Sequence, residues 1–305
     1  MRKLAHLVQY ALLRIAIAVL TRIPDRTADR IGAAAGRLGY APLGIRRKVV
    51  DDNLRQAFPE RDQAWRDDVA RQSYEHLGRE TLSMLRLSVL DPEVTLRDTD
   101  VAGVDEANDL YVRKGKGAVV VVGHFGNWEI GAAAMARRGY PLDVIVQRQS
   151  NPYFDRYLIA ARERMGARVI ERGRAPKEGL RSLRQGRVLV FAADQNARRG
   201  GVFVPFFGRL ASTHRGAALM AIRTGAPMIL ALPLRQPDGR YLLTAEVIEA
   251  NPELLSEDME SAIQQLTARF TARLEAAIRE APGQYLWHHR RWKTRPGNGP
   301  AGDRY

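Results

Sequence analysis

The chain has 305 residues, 45% of them apolar, and a net charge of +14, which suits one large domain, or a domain with an appendage, around a real core. It contains no cysteine, so disulfides, thiolate metal sites and a cysteinyl acyl-enzyme are excluded. The basic excess implies an anionic partner, whether nucleic acid, anionic lipid or a phosphorylated substrate, and no zinc-finger or helix-turn-helix spacing, Gly-x-Ser-x-Gly elbow, Walker-type loop or Gly-x-Gly-x-x-Gly accompanies it.

Residues 4–20 are mostly apolar in a helical pattern. At about 1.5 Å per residue they reach roughly 25 Å, short of the ~30 Å hydrocarbon core, and His6, Gln9 and Arg14 interrupt them. Arg14 argues against a secretory signal, despite the basic start Arg2-Lys3 and the Ala16-x-Ala18 spacing. The stretch reads as a helix lying in a membrane interface or a short anchor, with a buried core helix as the alternative. Pro24 ends it. Helices follow over residues 25–87, with the basic cluster Gly44-Ile45-Arg46-Arg47-Lys48 at the start of one of them. Asp91-Pro92 marks a boundary, and the alternation in Val94-Thr95-Leu96-Arg97 predicts a strand.

From there strands and helices alternate. Strands are predicted at residues 118–122, 142–146, 188–191 and 228–232, with helices at 127–138, 152–165 and 212–224. Residues 192–212 read as a long loop, and 241–247 as an antiparallel strand. Met259, Ile263, Leu266, Phe270, Leu274 and Ile278 form one stripe of a last long helix, with Glu257 and Asp258 at its start. The pattern is that of an α/β protein: a mixed sheet with helices on both faces, plus an amino-terminal helical region for membrane docking. The expected division is a membrane-interface or anchor helix at 1–22, a helical region at 23–90, an α/β catalytic domain at 91–296 and a disordered tail at 297–305.

The chemistry concentrates where the valine run at 119–122 stops at Gly123. A short, β-branched run apolar on both sides reads as a buried parallel strand, which puts His124 at its carboxyl end, the edge where open α/β sheets bind ligands. Glu129 lies five residues on. Along one continuous helix the two side chains would be roughly 140° apart, so they meet only if His124 sits in a turn and Glu129 inside the helix. Gly123 and Gly126 allow that bend, and Asn127 is a plausible N-cap. The histidine is then a general base and the carboxylate orients it and stabilises the imidazolium; the plainer alternative is a satisfied strand-end histidine with Glu129 solvated. Gln147-Arg148 and Asp194-Gln195 also follow apolar strands and should emerge at the same edge. Arg148 suits bidentate binding of a phosphate or carboxylate, or is a surface arginine after a strand. Asp194 either orients Arg148 or its loop, or ends the strand as a turn residue. The apolar stretch Val202-Phe203-Val204-Pro205-Phe206-Phe207-Gly208 reads as the wall of an acyl-chain groove or as packing on the core. Residues 287–293 interleave aromatic and basic groups, which suits a lipid headgroup region.

The block Gly123-His124-Phe125-Gly126-Asn127-Trp128-Glu129 resembles the His-x-x-x-x-acid signature of the lysophospholipid acyltransferase superfamily, in the branch of late acyltransferases of lipid A biosynthesis. Five further pieces agree in order: Gln147-Arg148 with Asn151-Pro152, Ala193-Asp194-Gln195, Pro205-Phe206-Phe207-Gly208, Thr224-Gly225-Ala226-Pro227, and residues 284–292. The glycerol-phosphate branches carry aspartate where Glu129 stands and a Glu-Gly-Thr-Arg block absent here. The resemblance implies an O-acyltransferase at the cytoplasmic face of the bacterial inner membrane. Its donor would be an acyl thioester of acyl carrier protein or coenzyme A, and its acceptor a phosphorylated glycolipid, a lipid A precursor or a mannosylated phosphatidylinositol. His124 and Glu129 would be catalytic. Arg148, Asn127, Asp194 and Gln195 would bind substrate, with backbone amides near Asn127 supporting the oxyanion. No metal or bound cofactor is expected, and no nucleic acid. The alternatives of another class are a non-catalytic protein that binds anionic lipid, and a hydrolase built on the same dyad.

Overall fold

The computed structural model describes residues 2–89, 91, 93–103, 115, 117–248 and 258–297. The expected tail, 297–305, lies outside them except for Gly297. Five helices come first: α1 (Arg2–Leu20), α2 (Asp25–Tyr40), α3 (Arg47–Ala57), α4 (Gln63–Leu87) and the short α5 (Glu93–Arg97). The strand expected at 94–97 is therefore a helical turn. Asp91 starts it, its side chain accepting from the Glu93 amide and its carbonyl from the Val94 amide, so local capping overrides the two-residue alternation.

Strands β1 (Thr99–Ala102), β2 (Ala118–Val122), β3 (Leu142–Val146), β4 (Arg168–Glu171), β5 (Val188–Ala192), β8 (Met228–Arg235) and β9 (Tyr241–Ile248) form one sheet in the order β1-β9-β8-β2-β5-β3-β4. Strands β8, β2, β5, β3 and β4 are parallel, whereas β9 runs against β8 and β1 follows β9. The mixed sheet and the antiparallel β9 agree with expectation. Three elements have no counterpart in it: the short edge strand β1, β4, four residues with charged ends, and helix α8 (Ala175–Arg184), whose first turn holds a proline. The expected long loop contains a hairpin, β6 (Gly201–Phe206) with β7 (Arg209–His214). The remaining helices are α6 (Trp128–Arg137), α7 (Pro152–Arg164), α9 (Gly216–Thr224) and α10 (Met259–Glu280).

Alternate residues of β2 serve different cores, as the pleat requires. Val119 and Val121 join one cluster with residues of α3, α4, α8, α9 and α10; Ala118 and Val122 join another beneath α6. Helices α3 and α4 thus share a core with the sheet. The α10 stripe is core beyond its first member: Met259 is 45% exposed, whereas Ile263, Leu266, Phe270, Leu274 and Ile278 are at most 1% exposed.

The segments read as lipid-contacting are mostly interior. Phe206 and Phe207 are buried against each other and against Trp287 and Trp292, so residues 202–208 do not wall a groove. Arg291 is also buried, giving hydrogen bonds to the Ser212 carbonyl and the Thr213 hydroxyl. The aromatic–basic interleaving of 287–293 is a packed corner, because each tryptophan needs a large apolar partner and the guanidinium supplies donors to loop carbonyls.

Helix α1 is different. Ile17 and Leu20 are buried, while Leu4, Val8, Leu12, Ile15 and Val19 are 51–66% exposed. Residues Lys3–Leu20 are long and apolar enough to cross a membrane, and 6% of them are buried. The inner side of α1 docks on α7: Asn151 donates to the His6 carbonyl (3.0 Å) and to Gln9 (3.1 Å), and Tyr10 stacks on Tyr153.

Candidate active site

The turn after β2 is held from three directions. Gly126 has φ +64°, and a Cβ there would lie 1.9 Å from the Pro233 carbonyl oxygen, so glycine is required for both conformation and space. Asn127 caps α6 by accepting from the Ile130 amide (3.0 Å), and its amide nitrogen donates to Glu80. His76 on α4 bonds the Gly126 carbonyl (3.3 Å). From the carboxyl-terminal segment, the Leu286 amide donates to the His124 carbonyl (3.0 Å) and the Gly126 amide to the Gln284 carbonyl (3.2 Å).

The ring of His124 is oriented by Asp194, not by Glu129. Asp194 Oδ1 accepts from His124 Nδ1 at 2.7 Å, and Oδ2 accepts from the His124 backbone amide at 2.9 Å. The two residues meet because β2 and β5 are neighbours in register, Val122 beside Ala192. Gln195 places its amide nitrogen 3.3 Å from His124 Nε2, so the geometry fits a ring that donates from Nδ1 and accepts at Nε2. Burial pushes the His124 pKa down, but the charge and hydrogen bond of Asp194, with the charge of Glu129, outweigh it and hold the imidazole above its ordinary value. Burial pushes Asp194 up, yet His124 and Arg291 overcome this and bring it down to about 2. The buried Tyr285 hydroxyl is a further partner of Asp194; burial first, then Asp194, raises its pKa well above the ordinary value.

Glu129 faces Arg162 of α7, whose Nε lies 3.1 and 3.0 Å from its two carboxylate oxygens. Its fixed partner is therefore a guanidinium, and its influence on His124 is through charge. Arg148 pairs with Glu171 at 2.9 Å and is 70% exposed. Asn127, 1% exposed, is spent on capping and on Glu80, which corrects its expected role in substrate binding. Of the backbone amides in the turn before α6, those of His124, Gly126 and Asn127 donate to Asp194, Gln284 and Pro233.

His124, Glu129, Gln147, Arg148, Arg162 and Gln195 line one open cavity of 680 Å³ over the carboxyl ends of β2, β5 and β3. The three polar strand ends thus come together at one sheet edge, as the parallel arrangement implied. Val122, Trp128, Ala132 and Val190 are shared with an adjoining apolar pocket of 50 Å³ between α6 and the sheet, which reaches Met135, Tyr140 and Leu142. Among the described residues no group of histidine and carboxylate side chains forms a metal-binding cluster.

A family model for the bacterial lipid A biosynthesis acyltransferases matches residues 1–294. The chain belongs to this family. It is 29% identical to the lipid A biosynthesis lauroyltransferase of Escherichia coli K12, over 93% of this chain and 90% of the relative. It is 27% identical to the myristoyltransferase of the same organism, over 89% and 81%. Similarity extends to the phosphatidylinositol mannoside acyltransferase of Mycolicibacterium smegmatis, 26% identical over 83% and 82%. Arg162 and Tyr285 were not singled out as site residues of this acyltransferase. Arg162 lies in an ordinary-looking amphipathic helix, and Tyr285 carries only the signal of its place in the carboxyl-terminal block shared with the family.

Proposed function

We propose that this acyltransferase moves a fatty acyl group from a thioester, carried by acyl carrier protein or coenzyme A, to a hydroxyl of a lipid A precursor. The single observation that carries the mechanism is the Asp194–His124–Gln195 arrangement at the floor of the cavity. His124 Nε2 takes the proton of the acceptor hydroxyl as its oxygen attacks the thioester carbon. The Asp194 carboxylate steadies the imidazolium. The carbon–sulfur bond then breaks, the proton passes from His124 to the departing thiolate, and an ester and a free thiol result. The Gln195 amide is the donor best placed to meet the oxyanion. Glu129 raises the basicity of His124 and holds Arg162 at the cavity wall, where that arginine and Arg148 meet acceptor phosphate. The donor chain slides between α6 and the sheet. The pocket there is small when closed, so α6 and the sheet must part to admit it. The exposed apolar side of α1 and the basic surface hold the enzyme on the cytoplasmic face of the inner membrane.

The deciding experiment incubates the full chain with acyl carrier protein and coenzyme A thioesters and a panel of acceptors that includes lipid A precursors and a mannosylated phosphatidylinositol, with products read by mass. Transfer to a lipid A precursor is expected, and His124→Ala should lower it by about 10²–10⁴-fold. Retention of more than roughly a tenth of the rate in that variant would remove His124 from the mechanism. Free fatty acid as the only product would make the protein a hydrolase.

A further inference from the structure

We infer that the side of the cavity formed by α8, α9 and the β5–β6 loop is a phosphate subsite for the acyl donor, taking the phosphodiester of a phosphopantetheine arm. This rests on the thioester reading above and adds where the far end of the donor lies. Six arginines line the cavity, Arg148, Arg162, Arg172, Arg199, Arg215 and Arg223, against one carboxylate, Glu129, among the described residues. Three of the six are neutralised: Arg162 by Glu129, Arg148 by Glu171 and Arg215 by Glu260. Arg172 gives one nitrogen to Gln147. Arg199 and Arg223 are exposed and have no carboxylate partner among the described residues. Guanidinium groups without carboxylate partners in a cavity lining suit a phosphate, whose oxygens match the guanidinium fork.

The positions say which phosphate. Arg215, the N-cap of α9, and Leu219 and Arg223 within it fall four apart and all line the cavity, so they form one stripe about 12 Å long. Ala175, Pro176 and Met220 complete this side. The result is a trough, apolar along its length, with Arg215 offset by Glu260 at one end and Arg223 without a carboxylate partner among the described residues at the other; a pantetheine arm is likewise uncharged until its phosphodiester. The trough lies on the sheet face of α8 and α9, whereas the apolar pocket lies on the opposite face beneath α6. Helix α1 is docked on α7, which joins α6 through the Arg162–Glu129 pair. A thioester with its tail toward α6 and its carbonyl at His124 therefore sends its other end toward α8 and α9, away from the lipid-facing helix. An acceptor anchored in a bilayer by its own chains approaches from the α1–α7 side. The cationic field on the far side is felt by His214, which also lines the cavity: burial first, then Arg172 and Arg291, bring its pKa down to about 4.

Calorimetric titration of the full chain in detergent micelles tests this without chemistry. The probes are an S-dodecyl thioether of phosphopantetheine, which has no carbonyl to react, and its dephosphorylated counterpart. Wild-type protein should bind the phosphorylated probe about tenfold more tightly or better, the usual worth of a charge-assisted hydrogen bond. The Arg199→Gln/Arg223→Gln double variant should bind both probes alike, at the wild-type affinity for the dephosphorylated one, and Arg148→Gln should keep the preference. Equal binding of both probes by wild type, no binding of either, or a preference lost in Arg148→Gln but kept in the double variant, each overturns the inference. A protein that shows the expected preference yet transfers no acyl group would keep this subsite and refute the preceding reading.

Discussion

On the proposed mechanism, His124 draws its reactivity from the contrast between its ring nitrogens. Nδ1 is fixed on the Asp194 carboxylate and Nε2 faces the cavity. Because Asp194 and Glu129 hold the imidazole above its ordinary pKa, the base form is lost as pH falls through a value higher than that of a free histidine. Asp194→Asn removes the stronger cause, so the acid limb of kcat/KM should move to lower pH while the rate drops by roughly 10²–10⁴-fold through loss of the fixed tautomer. Glu129→Gln should move the limb the same way by less, leaving the ring held by Asp194. A pH–rate profile whose acid limb stays in place in both variants would refute this electrostatic account. His124 itself was legible in the sequence, since a valine run broken by glycine announces a strand tip. Its partner was not, because Asp194 lies 70 residues away and is adjacent only once β5 is known to lie beside β2. Glu129 drew the eye through proximity in sequence, and the arginine that occupies it comes from another helix.

Helices α6 and α7 turn the sheet edge into a site with two kinds of wall. On α6, Glu129 and Ala132 both line the polar cavity, while Ala132 and Met135 also line the apolar pocket. Ala132 thus stands at the neck between them. Ala132→Leu should narrow that neck and shift donor preference toward shorter chains, cutting turnover of long-chain thioesters about tenfold or more relative to short ones, in line with the roughly 1–3 kcal/mol typical of overpacking. Competition between thioesters of different length, read by product mass, checks it; an unchanged product distribution would move the acyl chain elsewhere. The regular elements here were readable because the β-branched runs and the three-and-four spacing of the α10 stripe are strong periodic signals. The hairpin β6–β7 was not, because Gly201, Pro205 and Gly208 mimic a loop. The interior placement of Phe206, Phe207 and Arg291 was not either, since composition does not distinguish an aromatic–basic patch on a membrane from one packed in a corner.

At the scale of the whole molecule, the feature proposed to face lipid is the outer stripe of α1. Leu12 and Ile15 are 62% and 61% exposed, so Leu12→Glu with Ile15→Glu changes that stripe without disturbing the Ile17 and Leu20 contacts. Wild-type protein should sediment with anionic vesicles and be released only partly by high salt. The double variant should be held by basic residues alone, each worth about 1 kcal/mol near an anionic surface, and should come off as salt shortens the Debye length. Identical salt curves for the two proteins would assign α1 no share in membrane binding. The carboxyl-terminal strap over the catalytic turn also bears on how the enzyme is made. Peptide groups of Gln284 and Leu286 hold the backbone of Gly126 and His124, and Ser73 and Asn53 tie down the carbonyls of Tyr285 and Trp287. During translation His124 and Asp194 leave the ribosome long before these residues do. A chain whose sheet has formed without residues 284–287 therefore already holds His124 and Asp194, yet lacks the strap that fixes the turn between them.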